Sequence, residues 1–447
     1  MLIRFAVENY NSFKDRQVFS MVAGKQTRHP SHYLKVKEKR LLKGSFFFGA
    51  NASGKSNFVR ALDFMRRITL FGTSAMLYND KYFRIDPAYK DKPGVFQVDF
   101  IQNQIVFSYG FAINYNTYEI CGEWLYRLDS ADKETCIFER EKGGKVNTEL
   151  SLDAASKTRF DIYCEDLHED GLLLHEVGNK NLTTDSDLRE LLFAYKWFKK
   201  LTVVYPDSHA KNKNTFFLNP ASNTDNMADL LRVFDTGIEN IKKGKQSAEK
   251  AFSFLPDVIK KDLINDIEQD LRKAGNGEHL RMIEIGDQQF EISMENDEIV
   301  AEKIMTDHGN ETELFELSDE SDGTKRLFDL IPLYEFGQKE RIIVVDELDR
   351  SLHSKLTEKY IKLFFELTKN KPSQLICTTH DLNLMSLNLL RQDEIWFVER
   401  EKDHSSRIYS LSDYKQRFDK NILNDYLVGR YGAIPCLQDI ERQVDDE

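Results

Sequence analysis

The first segment able to do chemistry runs from Gly49 to Ser56 and matches G-x-x-x-x-G-K-[ST] at each fixed position. Glycines let the backbone curl around phosphates with its N–H groups inward, and a following helix N-terminus adds positive potential. Lys55 is expected to reach the β- and γ-phosphates of a nucleotide, and Ser56 to ligate Mg2+. A chance glycine-rich turn is the alternative, but the strand-like SFFF before the segment and the helical pattern after it favour a phosphate-binding loop. The predicted nucleotide-binding residues are Gly49, Asn51, Ala52, Ser53, Gly54, Lys55, Ser56 and Asn57.

A pair of acids follows an apolar run later in the chain. The segment Arg341–Glu347 reads RIIVVDE, which describes a buried strand that delivers two carboxylates at its C-terminal end. Asp346 is predicted to hold Mg2+, directly or through water, and Glu347 to polarise the attacking water. The alternative is a strand that ends in a solvated acidic turn. The phosphate-binding loop earlier in the chain favours the catalytic interpretation.

A histidine ends another apolar strand, in the sequence CTTHD from Cys377 to Asp381. A histidine at a strand end is more often structural than catalytic, so the position of His380 leaves both roles open. The segment Glu320–Arg326 (ESDGTKR) opens a predicted helix. It reads as an N-cap, with Ser321 or Asp322 capping, but a helix N-terminus with small residues is also a donor surface for a γ-phosphate, and both interpretations can hold together.

The elements that position these residues follow from hydrophobic periodicity. Strands are predicted over Leu2–Glu8 and Phe13–Met21, and a buried strand over Leu41–Phe48 ends at the phosphate-binding loop. A helix is predicted from about Ser53 to Ile68. The stretch Gly94–Arg140 changes to a period of two with Asn and Gly between runs, which is typical of an antiparallel meander.

The second half of the chain alternates between helices and strands. Helical periodicity occurs twice between about Asp225 and Ala274, and residues 275–305 return to strands. Three apolar strands with helices between them imply parallel crossovers. These strands are predicted over Arg341–Val345, Gln374–Thr379 and Glu394–Glu399, and a helix followed by a strand over Leu188–Val203.

Composition places limits on the class of protein. The chain has 447 residues, 41% of them hydrophobic and 30% charged, and a net charge of -12, which argues against a surface coated in positive charge for nucleic acid. Its five cysteines form no CxxC pair, so neither a zinc site nor a disulfide framework is indicated. The start of the chain lacks the features of a signal peptide, and no apolar run reaches the roughly 18 residues of a membrane span. A cytoplasmic location without a membrane partner is therefore expected.

Taken together, in the order in which they occur along the chain, the four segments resemble the ABC ATPase superfamily. Within it they resemble the SMC, RecF and OLD branch. Glu8–Lys14 is similar to the opening N-x-x-S-F-x-D turn of that branch, and Asp346–His353 to its D-E-x-E-x-x-L-H motif, whose last part is the D-loop (Ser351, Leu352 and His353). His380 stands at the place of the switch histidine that contacts the γ-phosphate. Ser321, Asp322, Gly323 and Thr324 stand at the place of the signature S-G-G-Q, from which Asp322 and Thr324 depart.

Four segments, one of which contains the signature region, resemble bacterial defence ATPases of the RloA and AbiL type and the ATPase subunit of PARIS-type anti-phage systems. These segments are FDTGI (234–238), ESDGTKRL (320–327), DEIWFVE (393–399) and YLVGRYGAIP (426–435). The resemblance implies an ATPase with ATP and Mg2+ as cofactors and with Glu347, His380 and Lys55 as catalytic residues. It also implies a separate effector protein, often a TOPRIM-type or other nuclease. No E…DxD arrangement of acidic residues follows His380, so this chain is expected to need such a partner for nuclease activity.

The resemblance further implies that the signature of one subunit completes the nucleotide site of another, so that two heads sandwich ATP in a homo-oligomer. DNA or a phage protein is a candidate trigger. Three basic clusters are candidates for contact with nucleic acid, although a solvated charged face is the favoured interpretation of each. They are Lys35–Lys43, Lys196–Lys200 and Lys242–Lys250.

Two other functions remain open from the sequence. A genome-maintenance ATPase of the RecF or SbcC kind would bind DNA, although no long coiled coil is present for SbcC. A scaffold in which ATP is structural is a third class, which intact Glu347 and His380 disfavour.

The expected fold class is α/β: an ABC-type ATPase head with a P-loop mixed or parallel sheet, an antiparallel β subdomain and a short helical insertion. The predicted domains are residues 1–224, the helical insertion at 225–275, and residues 276–447.

Overall fold

The computed structural model describes residues 1–73, 80–129, 133–183, 186–206, 224–273, 281–285, 288–295, 298–310, 313–414 and 422–434. The chain divides into two compact units. The first unit contains Met1–Tyr205, Gly337–Asp349 and Tyr360–Glu447, and the second unit contains Pro206–Phe336 and Arg350–Lys359. The predicted domain boundaries stay predictions.

The strands of the described chain are β1 (Leu2–Glu8), β2 (Gln17–Ser20), β3 (Tyr33–Val36), β4 (Lys39–Leu42), β5 (Gly44–Phe48), β6 (Gly94–Gln102), β7 (Ile105–Ile113), β8 (Ile120–Leu128), β9 (Glu134–Glu141), β10 (Leu201–Val204), β11 (Asn240–Ser247), β12 (Arg281–Ile285), β13 (Gln288–Glu295), β14 (Glu298–Asp307), β15 (Phe315–Glu316), β16 (Ile342–Val345), β17 (Gln374–Thr378), β18 (Ile395–Arg400) and β19 (Ser406–Ser410).

The α-helices are α1 (Lys55–Phe71), α2 (Ala154–Glu165), α3 (Leu173–Gly178), α4 (Arg189–Phe198), α5 (Thr224–Val233), α6 (Ala248–Ala251), α7 (Asp257–Lys273), α8 (Asp322–Leu330), α9 (Pro332–Gly337), α10 (Ser354–Leu367) and α11 (Ile422–Leu427). Among the described residues, no helix combines the length and the apolar character needed to cross a membrane.

The first unit contains an antiparallel sheet with the strand order β2-β1-β6-β7-β8-β9. Strands β6 to β9 are consecutive neighbours, so the meander predicted for Gly94–Arg140 is confirmed. Alternate residues of β6, such as Phe96 and Val98, are fully buried. The period of two in the sequence therefore reflects one face of the sheet turned to the core.

A second sheet of the first unit has the order β10-β16-β17-β5-β18-β19, in which only β19 is antiparallel to its neighbour. Every residue of β5, β16 and β17 is buried, as is typical of a parallel sheet covered on both faces. The predicted parallel crossovers and the mixed α/β fold class are confirmed. The single strand predicted over Leu41–Phe48 is wrong at its start, because the chain first pairs β4 with β3 and enters the parallel sheet only at Gly44.

Helix α1 packs in the core shared by the two sheets of the first unit. It begins at Lys55, directly after the phosphate-binding loop. The ring of Phe58 lies 5.8 Å from Phe5 of the antiparallel sheet and 4.3 Å from Phe47 of the parallel sheet. These apolar contacts fix the helix, and with it the loop at its N-terminus.

The second unit contains the antiparallel sheet β11-β14-β13-β12 with α6 and α7 packed on one face. Phe252 and Phe290 lie in the core between them. The helical prediction for residues 225–275 is therefore wrong over β11, whose eight residues pair with β14 from Asn240 to Ser247. The lysines of this strand form ion pairs with carboxylates on neighbouring strands. Local periodicity does not reveal such contacts between residues that are distant in the sequence.

Candidate nucleotide-binding and hydrolysis site

The phosphate-binding loop lies between β5 and α1, and its two flanking glycines are required by close packing. Gly49 has φ 154° and Gly54 has φ 111°. A Cβ atom on Gly49 would lie 2.2 Å from the Val398 carbonyl oxygen, and one on Gly54 would lie 2.2 Å from Ser406 Oγ. Any side chain at either position would push the loop away from its neighbours.

Lys55 lies almost fully buried within this loop. Its Nζ donates hydrogen bonds to the carbonyl oxygens of Gly49 (2.7 Å) and Ala50 (3.0 Å). Burial lowers the pKa of Lys55 to about 8, and the nearby Asp346 carboxylate partly opposes that shift. Ser53 Oγ is also buried and has no hydrogen-bond partner among the described residues. A positive charge and a spare hydroxyl inside a glycine loop fit a phosphate group.

Asp346 is held at the end of β16 by two hydroxyl groups. Its Oδ1 accepts hydrogen bonds from Ser56 Oγ (3.1 Å) and Thr378 Oγ1 (2.6 Å). The side chain is nearly inaccessible, at 2% exposure. A carboxylate beside a serine hydroxyl fits Mg2+, which prefers oxygen ligands. Since no group of three or more His, Cys, Asp or Glu side chains among the described residues could hold a metal, the ion would complete its shell with phosphate oxygens and water.

Glu347 and His380 face each other at the ends of adjacent strands, with Glu347 Oε1 3.9 Å from His380 Nε2. Glu347 has φ 51°, a left-handed conformation that is uncommon for a glutamate, and its N–H donates to Thr378 Oγ1 (2.8 Å). The backbone N–H of His380 lies 3.2 Å from both carboxylate oxygens of Asp349. Burial, and then the charge of Lys55, lower the pKa of His380, so the imidazole is neutral at pH 7.

The predicted signature and D-loop lie together in the second unit. Ser321 is the N-cap of α8, and its Oγ accepts the backbone N–H of Thr324 (3.1 Å), so the capping interpretation is confirmed. A Cβ atom on Gly323 would lie 2.9 Å from the carbonyl oxygen of Ser351, which has φ 60°. The glycine thus permits the start of α8 to approach the backbone at Ser351. Asp322 is exposed at the first turn, Leu352 is half-buried, and His353 is exposed.

Two serines outside the phosphate-binding loop form hydrogen bonds that hold it in place. Ser406 Oγ donates to the Ser53 carbonyl oxygen (2.6 Å) and lies 2.8 Å from Ser12 Oγ. Ser12 Oγ also accepts from Asn57 Nδ2 (2.8 Å). Ser12 belongs to the opening motif singled out in the sequence, whereas Ser406 carries no local signal. Both become part of the site because the turn after β1 and the start of β19 lie beside the loop in the folded first unit.

A groove of about 850 Å³ adjoins Ala52 and Asn57, and most of its lining escaped the sequence analysis. One face of α1 supplies Arg60, Phe64 and Arg67, at the spacing of a helical stripe. Further aromatic and basic side chains complete the lining, among them Tyr10, Lys81, Tyr82, Tyr205 and Arg400. Aromatic and basic groups beside a phosphate-binding loop suit a nucleoside attached to the bound phosphates.

A comparison with models of protein families identifies the family of this chain. A sequence model of the family described as "AAA domain, putative AbiEii toxin, Type IV TA system" matches residues 45–144 and 185–386, more than half of the chain. The chain belongs to this family. Its AAA domain is a P-loop ATPase domain, so ATP is the nucleotide assigned to the loop. The matched ranges include the phosphate-binding loop, the signature segment, the two acids and His380.

Solved structures similar to the chain include three SMC heads. An Smc head bound to the C-terminal winged-helix domain of ScpA is 16% identical, with 92% of this chain and 97% of that chain covered and a TM-score of 0.41. The SMC head domain from Thermotoga maritima is 12% identical, with 92% and 98% covered and a TM-score of 0.40. An Smc head with an extended coiled coil, bound to the C-terminal domain of ScpA from Pyrococcus furiosus, is 13% identical, with 92% and 96% covered and a TM-score of 0.43. With scores below 0.5, these likenesses carry no functional argument. No curated protein matches the chain.

Proposed function

We propose that the chain binds MgATP and hydrolyses it at the carboxyl ends of β5, β16 and β17. One observation carries the proposal: Lys55 and Ser56 of the loop, Asp346 and Glu347 after β16, and His380 after β17 converge at one sheet edge. Ser56 Oγ lies 3.1 Å from Asp346 Oδ1, and Glu347 Oε1 lies 3.9 Å from His380 Nε2. Phosphate-binding, metal-binding and base functions are thereby brought within reach of one triphosphate.

Each side chain has a distinct role in this proposal. Lys55 binds the β- and γ-phosphates, while Ser56 and Asp346 hold Mg2+, which supplies charge neutralisation on the phosphate oxygens when bound. Glu347 orients and polarises the attacking water through its carboxylate. His380, neutral at pH 7, can donate one N–H to the γ-phosphate from the strand beside Glu347.

We propose further that two copies of the chain pair head to tail and enclose two ATP molecules. The signature segment supports this, because Ser321 and Gly323 present small residues at the N-terminus of α8, where backbone N–H groups favour an anion. The D-loop beside Gly323 would lie at the same contact. Hydrolysis assisted by Glu347 would then open the pair.

The mass of a Glu347→Gln variant in solution tests the pairing. The amide keeps the shape of the side chain but cannot act as a base, so ATP should accumulate unhydrolysed and hold the pair together. A doubled mass with ATP, but not with ADP, is expected. A Lys55→Ala, Glu347→Gln double variant is the control, which should stay at the mass of the nucleotide-free form. Equal masses with and without ATP, at full nucleotide occupancy, would exclude the sandwich.

In the cell, we propose that this ATPase controls a separate toxic effector in antiviral defence. Two observations support this role: the family description names an AbiEii toxin and a type IV toxin–antitoxin system, and four segments between residues 234 and 435 resemble defence ATPases. Coexpression with the neighbouring gene, followed by copurification and native mass measurement, tests the role. A recombination operon around the gene, and no copurifying partner, would contradict it.

A DNA-repair function is the second candidate. Ion pairs with nearby carboxylates weigh against DNA binding by one of the three basic clusters. In the basic cluster Lys242–Lys250, Lys242 lies 2.7 Å from Asp307 and Lys245 lies 2.7 Å from Glu295. Lys43 of another cluster is fully buried and donates to the Thr368 carbonyl oxygen. The exposed Lys35 and Lys37 remain available. A salt-dependent DNA affinity that falls in a Lys35→Ala, Lys37→Ala variant would favour this function.

A further inference from the structure

The C-terminal segment Ile422–Ile434 packs directly against the phosphate-binding loop. The backbone N–H of Ala50 donates to the carbonyl oxygen of Ala433 (3.1 Å). Ala433 is 3% exposed and has φ 57°, a left-handed conformation that alanine rarely adopts. Such a backbone persists only where its surroundings hold it. One loop N–H is thus fixed by a residue almost four hundred positions away in the sequence.

Glu399, at the end of β18, anchors this segment. Its Oε1 accepts the backbone N–H of Ala433 (3.0 Å), and its Oε2 accepts the hydroxyl of Tyr409 (3.1 Å). The Tyr409 hydroxyl also lies 2.5 Å from the Tyr431 carbonyl oxygen. A Cβ atom on Gly432, which has φ 72°, would lie 2.6 Å from Glu399 Oε1. The glycine therefore allows the segment to close on the carboxylate.

Tyr426 holds the same carbonyl group that receives the loop N–H. Its hydroxyl donates to the Ala433 oxygen (2.8 Å). Its ring stacks on Phe397 with centroids 5.6 Å apart and planes at 9°, and Tyr431 stacks on Phe397 at 5.7 Å and 18°. Phe397 pairs in register with Phe48, the residue just before the loop. The aromatic cluster thus joins the segment to β18, the strand beside β5, and the Ala50–Ala433 hydrogen bond joins the segment to the loop itself.

We propose that Glu399 and Tyr426 are positioning residues for nucleotide binding: through Ala433 they fix Ala50 and so set the shape of the phosphate-binding loop. By thermodynamic linkage, nucleotide binding then stabilises docking of the segment, and loosening the segment weakens nucleotide binding. This inference rests on the nucleotide binding proposed above.

Full-length Glu399→Ala and Tyr426→Phe variants test the inference, with a non-hydrolysable ATP analogue as the probe. Each change removes support from Ala433 without touching a group that contacts the nucleotide. The dissociation constant should rise about fivefold in either variant, as expected for one lost positioning hydrogen bond. Glu399→Gln, which keeps an acceptor for the Ala433 N–H, should restore most of the affinity. Arg430→Ala is the matched control, because it removes only the exposed ion pair with Asp425 in the same segment.

Hydrogen exchange of the backbone amides from Tyr426 to Ile434 separates positioning from general damage to the fold. In the wild type, the analogue should slow exchange in this segment, and the two loosened variants should exchange faster there but normally in the core strand β7. Wild-type affinity in variants whose segment exchanges faster would overturn the inference and leave the proposed function intact. Failure of the wild type itself to bind the analogue would instead overturn the proposed function.

Discussion

At the scale of single residues, Thr378 sets the direction of both acids in the candidate site. Its Oγ1 donates to Asp346 Oδ1 (2.6 Å) and accepts the backbone N–H of Glu347 (2.8 Å). The hydroxyl therefore joins β17 to the end of β16 and supports the left-handed backbone of Glu347. Thr378 is fully buried, so water cannot replace it.

Replacing Thr378 by Val should lower the kcat of ATP hydrolysis roughly 10- to 100-fold, the range expected when an outer-shell partner of a metal ligand is lost. The shape of the side chain is retained, so the fold should persist. Steady-state ATP turnover measures the effect. Thr148→Val, which removes a hydroxyl bonded to Ile137 in the meander, is the control and should turn over ATP like the wild type. Equal kcat values for the two variants would contradict the role of Thr378.

Lys55 makes nucleotide binding dependent on pH. Its pKa is lowered to about 8 by burial, so the free protein loses this proton above that pH. Phosphate binding requires the ammonium form, and binding must then take up a proton. The affinity for ATP should be flat below pH 8 and fall by up to about tenfold per pH unit above it. Calorimetry in buffers of different ionisation enthalpy at pH 8.5 should detect the uptake, and no uptake would show that Lys55 is already charged.

At the scale of elements, one buried carboxylate joins the meander to a helix. Glu123 on β8 is completely buried and accepts the backbone N–H groups of Leu173 (2.8 Å) and Leu174 (3.1 Å) at the start of α3. It also accepts from Tyr109 Oη (3.1 Å) and Arg140 Nε (3.2 Å). The negative charge thus caps the helix and neutralises a nearly buried guanidinium.

Glu123→Ala should destabilise the first unit by about 3–5 kcal/mol, because it leaves Arg140 and two helix N–H groups without their buried acceptor. Denaturant unfolding measures the loss. Glu119→Ala is the comparison: its ion pair with Lys142 is solvent-exposed on the lysine side and should contribute far less to stability. A loss at Glu123 no larger than that at Glu119 would mean that water reaches the network.

At the scale of the whole molecule, the two units carry complementary parts of the proposed composite site. The first unit holds the phosphate-binding loop with Asp346, Glu347 and His380, and the second holds the signature and D-loop segments. In the proposed pair, each nucleotide uses the loop of one chain and the signature of the other. A defect in either part should therefore be rescued by a chain that is defective in the other part.

Mixing Lys55→Ala with Gly323→Glu tests this division of labour. Each variant alone should be inactive, because both of its sites lack one component. In an equal mixture, half of the pairs carry one complete site, so about a quarter of the wild-type ATPase activity should return. Two Lys55→Ala preparations mixed together provide the control. No recovery, with mixed pairs shown by mass, would indicate that each site lies within a single chain.

Local spacing in the sequence was sufficient to predict several components of the fold and of the candidate site. The pattern Gly49 to Ser56 specifies a phosphate-binding loop because glycine conformations and a helix N-terminus are local requirements. The apolar runs before Asp346 and His380 specify buried strands because a covered parallel sheet excludes polar residues on both faces. Period-two alternation likewise determined the meander, since one face of each strand packs on the core.

Contacts between residues far apart in the chain became visible only in the folded molecule. Thr378 and Ser406 join the site because sheet order, rather than sequence order, places their strands beside the loop. Strand β11 replaced a predicted helix because it pairs along its whole length with β14, and such tertiary pairing outweighs a weak local preference. The docking of Ala433 on Ala50 has the same origin: a hydrogen bond depends on distance in space, which a linear pattern does not contain.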